Sequence, residues 1–307
     1  MVYALRDPAP LASAAVLLCS AAASLGASSA SLAAGAGCFR DYGINAKRYF
    51  ALMHNRKKNT RTTGTNKEAV TVTLNGVSFS YDGKDNVLHG VSLTIHPGER
   101  LAIVGENGSG KTTLAKLILQ LYRPCEGSLV ISGENGTVDS CRATAVLQDY
   151  VRYQLSVRDN IALGEISKLD NDEAIKAAYR AVCGNELPFA LDEILGKQFG
   201  ERDLSGGEWQ RLAIARACFR EAPLIVLDEP NASIDAFAEA AMIKRMFEMA
   251  KDKTCVFITH RLTTTALADR IIVMKDGRLC EEGTHEELMM RNGEYARMYL
   301  VQSQMYI

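Results

Sequence analysis

The chain has 307 residues and a formal net charge of −1, and 23% of its residues are charged. This length allows one or two domains with a full core, and the balanced charge gives no overall basic field that would favour nucleic acid as a partner. Eight cysteines are scattered without a C-x-x-C pair, which argues against a disulfide framework or a zinc site and is typical of a reducing compartment.

The N-terminal region differs in composition from the rest. Residues 8–39 contain no charged side chain and are dominated by Ala and Ser, whereas residues 55–67 carry five cationic side chains and are predicted to form a basic linker. A membrane-spanning helix needs about 20 mostly apolar residues, so the length suffices, but Ser and Gly dilute the hydrophobicity. Three alternatives stay open: a membrane-associated helix packed through small residues, a low-complexity tail, and a signal peptide, which the weakly basic start disfavours.

A folded domain is predicted to begin near residue 68. Apolar and polar residues alternate over 70–80, which predicts a half-exposed strand, and a second strand is expected over 87–95. A turn joins these strands, which we expect to be antiparallel. Such strands are a departure from a purely parallel α/β fold.

Residues 105–112 read GENGSGKT and fit the phosphate-binding pattern G-x-x-x-x-G-K-[ST]. An apolar strand is predicted before them, at 100–104, and a helix after them, at 113–122. Glycines let the main chain approach an anion closely, and the successive N–H groups and the helix N-terminus attract phosphate. Lys111 is predicted to reach the β- and γ-phosphates of a nucleotide, and the Thr112 hydroxyl is predicted to bind Mg²⁺.

A second nucleotide element follows the apolar run at 224–227, which predicts a buried strand. Asp228 and Glu229 stand at its carboxyl end, where open α/β sheets place their ligands. Asp228 is predicted to hold Mg²⁺ through water. Glu229 is predicted to orient the water that attacks the γ-phosphate or to accept its proton.

Residues 204–210 read LSGGEWQ and precede a predicted helix at 208–220. This is a second Gly-rich helix N-terminus and therefore a second candidate anion site. It would face either the nucleotide of the same chain or that of another subunit.

Together these motifs resemble the nucleotide-binding domain of ATP-binding cassette (ABC) transporters. GENGSGKT matches the Walker A motif of that family, LIVLDE its Walker B motif and LSGGEWQ its signature motif. The resemblance runs from about residue 70 to the C-terminus. It implies an α/β fold with a mostly parallel P-loop sheet, an antiparallel β subdomain and a helical subdomain at about 150–220, within a domain spanning 68–307.

The resemblance also implies roles for individual residues. Tyr81 resembles the aromatic residue that stacks on adenine, Gln148 the glutamine that touches Mg²⁺ and couples to the membrane partner, and His260 the switch histidine that contacts the γ-phosphate. The predicted ATP-binding residues are Tyr81, Gly105, Glu106, Asn107, Gly108, Ser109, Gly110, Lys111, Thr112 and Thr113. The predicted catalytic residues are Lys111, Gln148, Glu229 and His260, and the predicted Mg²⁺ ligands are Thr112, Gln148 and Asp228. The predicted contacts to the ATP of the opposite subunit are Ser205, Gly206, Gly207 and Asp235.

The function implied by the resemblance is ATP hydrolysis that drives export of an unidentified substrate. The chain would form a head-to-tail dimer with an identical or different cassette and work with transmembrane domains at the cytoplasmic face of the cell membrane, and residues 151–161 resemble the face that receives a coupling helix. Residues 1–54 would be the remnant of a membrane helix and a candidate anchor. One alternative is a soluble ABC ATPase acting on ribosomes or nucleic acid, which the single cassette and the lack of a coiled-coil insertion disfavour. Another is a regulator that does not hydrolyse ATP, which Glu229 and His260 disfavour.

Overall fold

The computed structural model describes residues 68–134, 136–137, 143–196, 202–229 and 236–304. The predicted segments at 1–54 and 55–67 lie outside the described residues. The strands are β1 (Thr71–Phe79), β2 (Leu88–Ile95), β3 (Arg100–Gly105), β4 (Glu126–Gly133), β5 (Gly136–Thr137), β6 (Ala143–Val146), β7 (Leu224–Asp228), β8 (Thr254–Ile258), β9 (Arg270–Lys275) and β10 (Arg278–Gly283). The helices are α1 (Lys111–Ile118), α2 (Val157–Ala162), α3 (Asp172–Cys183), α4 (Gly206–Phe219), α5 (Ala236–Met249), α6 (His285–Arg291) and α7 (Glu294–Gln304). Short 3₁₀ helices span Ile166–Lys168 and Leu262–Leu267.

The antiparallel sheet has the strand order β2-β1-β4-β5 among the described residues. In β1, Val72 and Leu74 are buried while Thr71 and Thr73 are half-exposed, as the sequence alternation predicts. The register of β1 against both neighbours shifts around Gly76, whose φ is +58°. Glycine tolerates this left-handed bulge, which lets the strand resume its pairing beyond it.

The other sheet has the order β10-β9-β3-β8-β7-β6 within the described ranges, and its pairings are parallel except that of β10 with β9. The P-loop strand β3 therefore lies between β9 and β8, with both faces covered. Its side chains alternate: Leu101 and Ile103 belong to one core, and Ala102 and Val104 to another. The predicted α/β class, with a mostly parallel sheet and an additional antiparallel sheet, is confirmed.

The helix that follows the P-loop lies in the core between the two sheets. Leu114, Leu117 and Ile118 of α1 are fully buried among residues of both sheets. The opposite face of the parallel sheet packs against a second core that includes residues of α5, α6 and α7. A further core contains Trp209 of α4 together with residues of α2 and α3.

The boundaries of some elements differ from the predicted ones. Helix α1 starts at Lys111 and ends at Ile118, whereas the spacing predicted a helix at 113–122, because Gln120 adopts a left-handed φ of +57° that ends the helix. Helix α4 starts at Gly206 rather than at 208, because Ser205 caps it. No helix within the described ranges is both long enough and apolar enough to cross a membrane.

Candidate nucleotide site

The P-loop needs glycine at two points for steric reasons. Gly105 ends β3 with a φ of +150°, and a Cβ there would lie 2.2 Å from the carbonyl oxygen of Met274. Gly110 caps α1 with a φ of +96°, and a Cβ there would lie 2.7 Å from a methyl group of Leu88. The loop is therefore pressed against β9 and β2, and these contacts fix its path.

Lys111 folds back into the loop. Its Nζ donates hydrogen bonds of 2.9 Å to the carbonyl oxygens of Gly105 and Glu106, and the side chain is buried. Burial lowers the pKa of the Lys111 ammonium, while the charges of Glu229 and Asp228 oppose that shift. The ammonium is thus held by two neutral carbonyl groups of the P-loop.

Asp228 is fully buried at the end of β7, and neither of its carboxylate oxygens has a hydrogen-bond partner. Burial raises the pKa of this carboxyl group, and the nearby Thr112 hydroxyl offsets the shift only in part. A buried carboxylate without a partner is costly, and together with a hydroxyl it forms a set of hard oxygen donors.

Glu229 contacts His260 directly. Its Oε1 lies 2.5 Å from Nε2 of His260. Glu229 also has a left-handed φ of +47°, and its N–H donates to the carbonyl oxygen of Ile258 in the neighbouring strand. Such a conformation is unfavourable for a residue other than glycine and is held here by strand pairing, a kind of strain that clusters at functional sites.

A cavity of about 480 Å³ brings nine of the predicted site residues together. Its lining residues are Val87, Asn107, Gly108, Gly110, Lys111, Thr112, Thr113, Gln148, Glu229 and His260. Gly105 and Glu106 instead line a neighbouring cavity, where the Glu106 carboxylate contacts Arg297 at 3.3 Å. Asp235 lies outside the described residues.

Tyr81 stands beside this cavity rather than in its lining. Its hydroxyl lies 3.2 Å from Oγ1 of Thr113, and the side chain is 51% exposed. The ring is supported edge-on by Phe79 and Tyr122, at centroid distances of 5.0 and 5.4 Å. No local sequence pattern indicates these two supports: helical spacing predicts Tyr122 within the helix, whereas α1 ends at Ile118, before it.

The signature segment does not line the cavity of its own chain. Ser205 accepts a hydrogen bond from the N–H of Glu208, whose carboxylate accepts one from the N–H of Ser205, so the two residues form a capping box at the start of α4. The Tyr150 hydroxyl donates to the carbonyl oxygen of Gly206 at 2.8 Å. Tyr150 thus links the segment after Gln148 to the signature helix, a role with no sequence signal beyond its position near Gln148.

Proteins of one family are similar to this chain in sequence. The family model for ABC transporters matches residues 88–232. The subtilin transport ATP-binding protein SpaT of Bacillus subtilis is 41% identical over 238 residues, which cover 74% of this chain and 39% of that protein. An ATM1-type heavy metal exporter of Novosphingobium aromaticivorans is 39% identical over 241 residues, covering 76% and 39%. An ATP-dependent lipid A-core flippase of Desulfotalea psychrophila is 39% identical over 238 residues, covering 75% and 41%.

A solved structure extends the likeness to three dimensions. The structure of a bacterial Atm1-family ABC exporter with ATP bound has a TM-score of 0.68 and 33% identity, and the match covers 76% of this chain and 42% of the exporter chain. The chain spans about two fifths of the length of these relatives. The P-loop fold, the cavity and these likenesses lead to one conclusion: the chain belongs to the ABC transporter family and carries its ATP-binding domain.

Proposed function

We propose that this chain is the ATP-binding and ATP-hydrolysing part of an ABC transporter that exports an unidentified substrate across a membrane. The observation that carries the proposal is the single cavity lined by Lys111, Gln148, Glu229 and His260. It combines a cation for phosphate, a carboxylate for water and an imidazole for the terminal phosphate. The names of the relatives, which include a subtilin transport protein and a heavy metal exporter, support the direction of transport. They favour export over the alternative action on ribosomes or nucleic acid.

The P-loop binds the triphosphate of ATP in this proposal. The left-handed Gly108 and Gly110 turn main-chain N–H groups toward the anion, and α1 adds the positive end of its dipole. Lys111 exchanges its bonds to carbonyl oxygens for bonds to the β- and γ-phosphates, which offsets the cost of its burial. The exposed ring of Tyr81 stacks on the adenine.

The site also fits Mg²⁺. The unpartnered carboxylate of Asp228, acting through water, would hold the ion together with the Thr112 hydroxyl and the Gln148 amide oxygen. When bound, the ion neutralises the charge that develops on the β- and γ-phosphates.

Hydrolysis depends on Glu229 in this proposal. Its carboxylate accepts a hydrogen bond from, and then a proton of, the water that attacks the γ-phosphate. The 2.5 Å contact with His260 holds the carboxylate at the cavity wall, and in this proposal the imidazole would lie beside the γ-phosphate. Both side chains line the same cavity, so both would face an ATP bound there.

The remaining proposed contacts lie outside this chain. The N-terminus of α4 in a second cassette, identical or different, would complete the site from the opposite side. The exposed Val151, Tyr153 and Leu155 form an apolar surface that would receive a transmembrane domain on the cytoplasmic side of the membrane. Tyr150, next to this surface in the chain, donates a hydrogen bond to the carbonyl oxygen of Gly206 and so connects the surface to the signature helix. The proposed membrane-helix remnant at 1–54 rests on composition alone.

The proposal is tested by replacing the carboxylate that activates water. In Glu229→Gln, ATP affinity should stay near that of the unchanged protein, while Mg²⁺-dependent hydrolysis falls ~10²-fold or more, the scale of general-base loss. Fluorescent-nucleotide titration and steady-state phosphate release measure the two quantities. Glu173→Gln, at an exposed position on α3, is the matched control and should leave both unchanged. Near-normal turnover in Glu229→Gln would refute the assignment.

A further inference from the structure

The main chain beside His260 is held by a side chain from the C-terminal helix. The amide of Gln302 on α7 donates a hydrogen bond from Nε2 to the carbonyl oxygen of His260, and its Oε1 accepts one from the N–H of Leu262. Both distances are 2.6 Å. One side-chain amide therefore hydrogen-bonds to the peptide units on both sides of Arg261 and fixes the path of the main chain at His260.

The two hydrogen bonds of Gln302 lie beside a cavity. A cavity of about 410 Å³ separates the P-loop from α7 at this point, and its lining includes Glu106, His260, Leu262 and Gln302. Because side chains do not fill this cavity, the hydrogen bonds of Gln302 add to the packing of the buried Leu262 in holding the loop. The ion pair of Arg297 with Glu106 crosses the same gap, but it is exposed and therefore weak.

A separate contact holds the far end of the same segment. The buried Tyr295 places its hydroxyl 2.7 Å from Oγ1 of Thr265, which in turn donates to the carbonyl oxygen of Leu262 at 2.6 Å. His285 contacts the same hydroxyl from α6 through Nδ1 at 2.7 Å. The 3₁₀ helix after His260 is thus anchored deep in the core through Tyr295, while Gln302 acts at its start, next to the imidazole.

We propose that Gln302 is a positioning residue for ATP hydrolysis, which acts through His260 by holding its main chain so that the imidazole meets Glu229 and the nucleotide. This inference rests on the proposed function of the site. It assigns to the C-terminal helix a direct effect on turnover, in addition to its packing against the sheet. A substitution that removes both hydrogen bonds leaves the imidazole present but free to sample positions away from Glu229.

The test uses the full chain and methionine, which matches glutamine in length without its amide. Gln302→Met should lower kcat about 10-fold and leave the KM for ATP within about 2-fold, since misplacement of a catalytic group affects turnover more than binding. Gln304→Met is the control, because Gln304 is exposed on the same helix. In a His260→Ala background, Gln302→Met should have no additional effect on kcat.

Two kinetic outcomes would overturn the inference. One is a kcat of Gln302→Met within about 2-fold of that of the unchanged protein, and the other is an equal loss in the His260→Ala background, which would indicate a general structural role. Lack of any ATP hydrolysis by the unchanged chain would count against the proposed function instead.

A spectroscopic measurement tests the inference even if the unchanged chain does not hydrolyse ATP. In the full chain with isotope-labelled histidine, the ring signal of His260, assigned by its loss in His260→Ala, should shift or broaden in Gln302→Met. The signal of the exposed His96 should stay unchanged, as should both signals in Gln304→Met. An unaltered His260 signal would refute the positioning role.

Discussion

At the residue scale, the two neighbouring carboxylates of the site have opposite surroundings. Asp228 is buried and its oxygens have no hydrogen-bond partner, whereas Glu229 faces the cavity and contacts His260. Burial raises the pKa of Asp228 above its ordinary value of 3.8. The protein without ligands therefore carries a destabilising charge at this position, which a bound cation would compensate.

The stability effect of Asp228 has a definite sign. Because its pKa is higher in the folded than in the unfolded state, the charge costs stability as pH rises above about 3.8, and the cost is complete above the raised pKa. Asp228→Asn should therefore raise the Tm of the nucleotide-free protein at pH 8 by about 2–4 °C, the effect of about 1 kcal/mol in a domain of this size. The gain should shrink as the pH is lowered toward 4.

Melting temperatures in EDTA, and then with Mg²⁺ and ATP, test this prediction. With both ligands, the unchanged protein should gain more stability than Asp228→Asn, since the variant has lost a ligand of the ion. Asp252→Asn, at an exposed position, should leave both melting temperatures unchanged. A lower Tm of Asp228→Asn in EDTA would contradict the account of an uncompensated buried charge.

At the element scale, the residues at the start of α4 cap their own helix, whatever contact they make with a partner. The Ser205 side chain caps the helix, and the reciprocal bond from Glu208 completes the box. Such a cap contributes about 1 kcal/mol. A substitution that removes it would affect helix stability and a proposed contact to the opposite nucleotide together, so the two must be separated by the choice of residue.

Aspartate separates the two roles of Ser205. It caps a helix as well as serine does, but its charge repels the γ-phosphate of an ATP held by the other subunit. In a Glu229→Gln background, Ser205→Asp should keep the Tm of the monomer and lose ATP-dependent dimerisation, measured by light scattering after size exclusion. Ser205→Thr keeps a capping hydroxyl and should still dimerise. ATP-dependent dimers of the aspartate variant would argue against a role of this helix in the opposite site.

At the scale of the whole molecule, buried hydrogen bonds join the two sheets that enclose α1. The hydroxyl of Thr254, at the start of β8, donates to the carbonyl oxygen of Val70 at 2.5 Å and accepts from its N–H at 3.1 Å. Arg270 of β9 adds hydrogen bonds to Glu99 and to the carbonyl oxygen of Thr94 in β2. Because α1 lies between the sheets, these links help to fix the helix that carries the P-loop.

Removing the hydrogen bonds of Thr254 should lower the stability of the folded domain. Thr254→Val keeps the shape of the side chain but leaves the N–H and carbonyl of Val70 buried without this partner, at a cost of about 1–3 kcal/mol. The Tm should fall by about 2–12 °C, in a single transition followed by circular dichroism. Thr73→Val, at a half-exposed position on β1, is the control and should change the Tm little. An unchanged Tm for Thr254→Val would show that the link does not contribute to stability.

Local sequence determined much of this protein. The P-loop, the buried strand before Asp228 and the existence of α4 follow from glycine positions and apolar runs, which act within a few residues of one another. The α/β class followed from the same patterns. The end of α1 did not, because helical spacing continues past Ile118 while the left-handed Gln120 ends the helix.

Only the tertiary structure decided which distant residues meet. Glu229 and His260 are brought together because β7 pairs with β8, and their register places Asp228 opposite Ile258. Strand order and register depend on the packing of whole sheets, which an apolar run alone does not specify. For the same reason no local pattern indicates that Glu106 faces Arg297 or that Gln302, far along the chain, holds the main chain at His260. The sequence determined the chemical groups of the site, and the packing of the sheets and the C-terminal helix decided their positions.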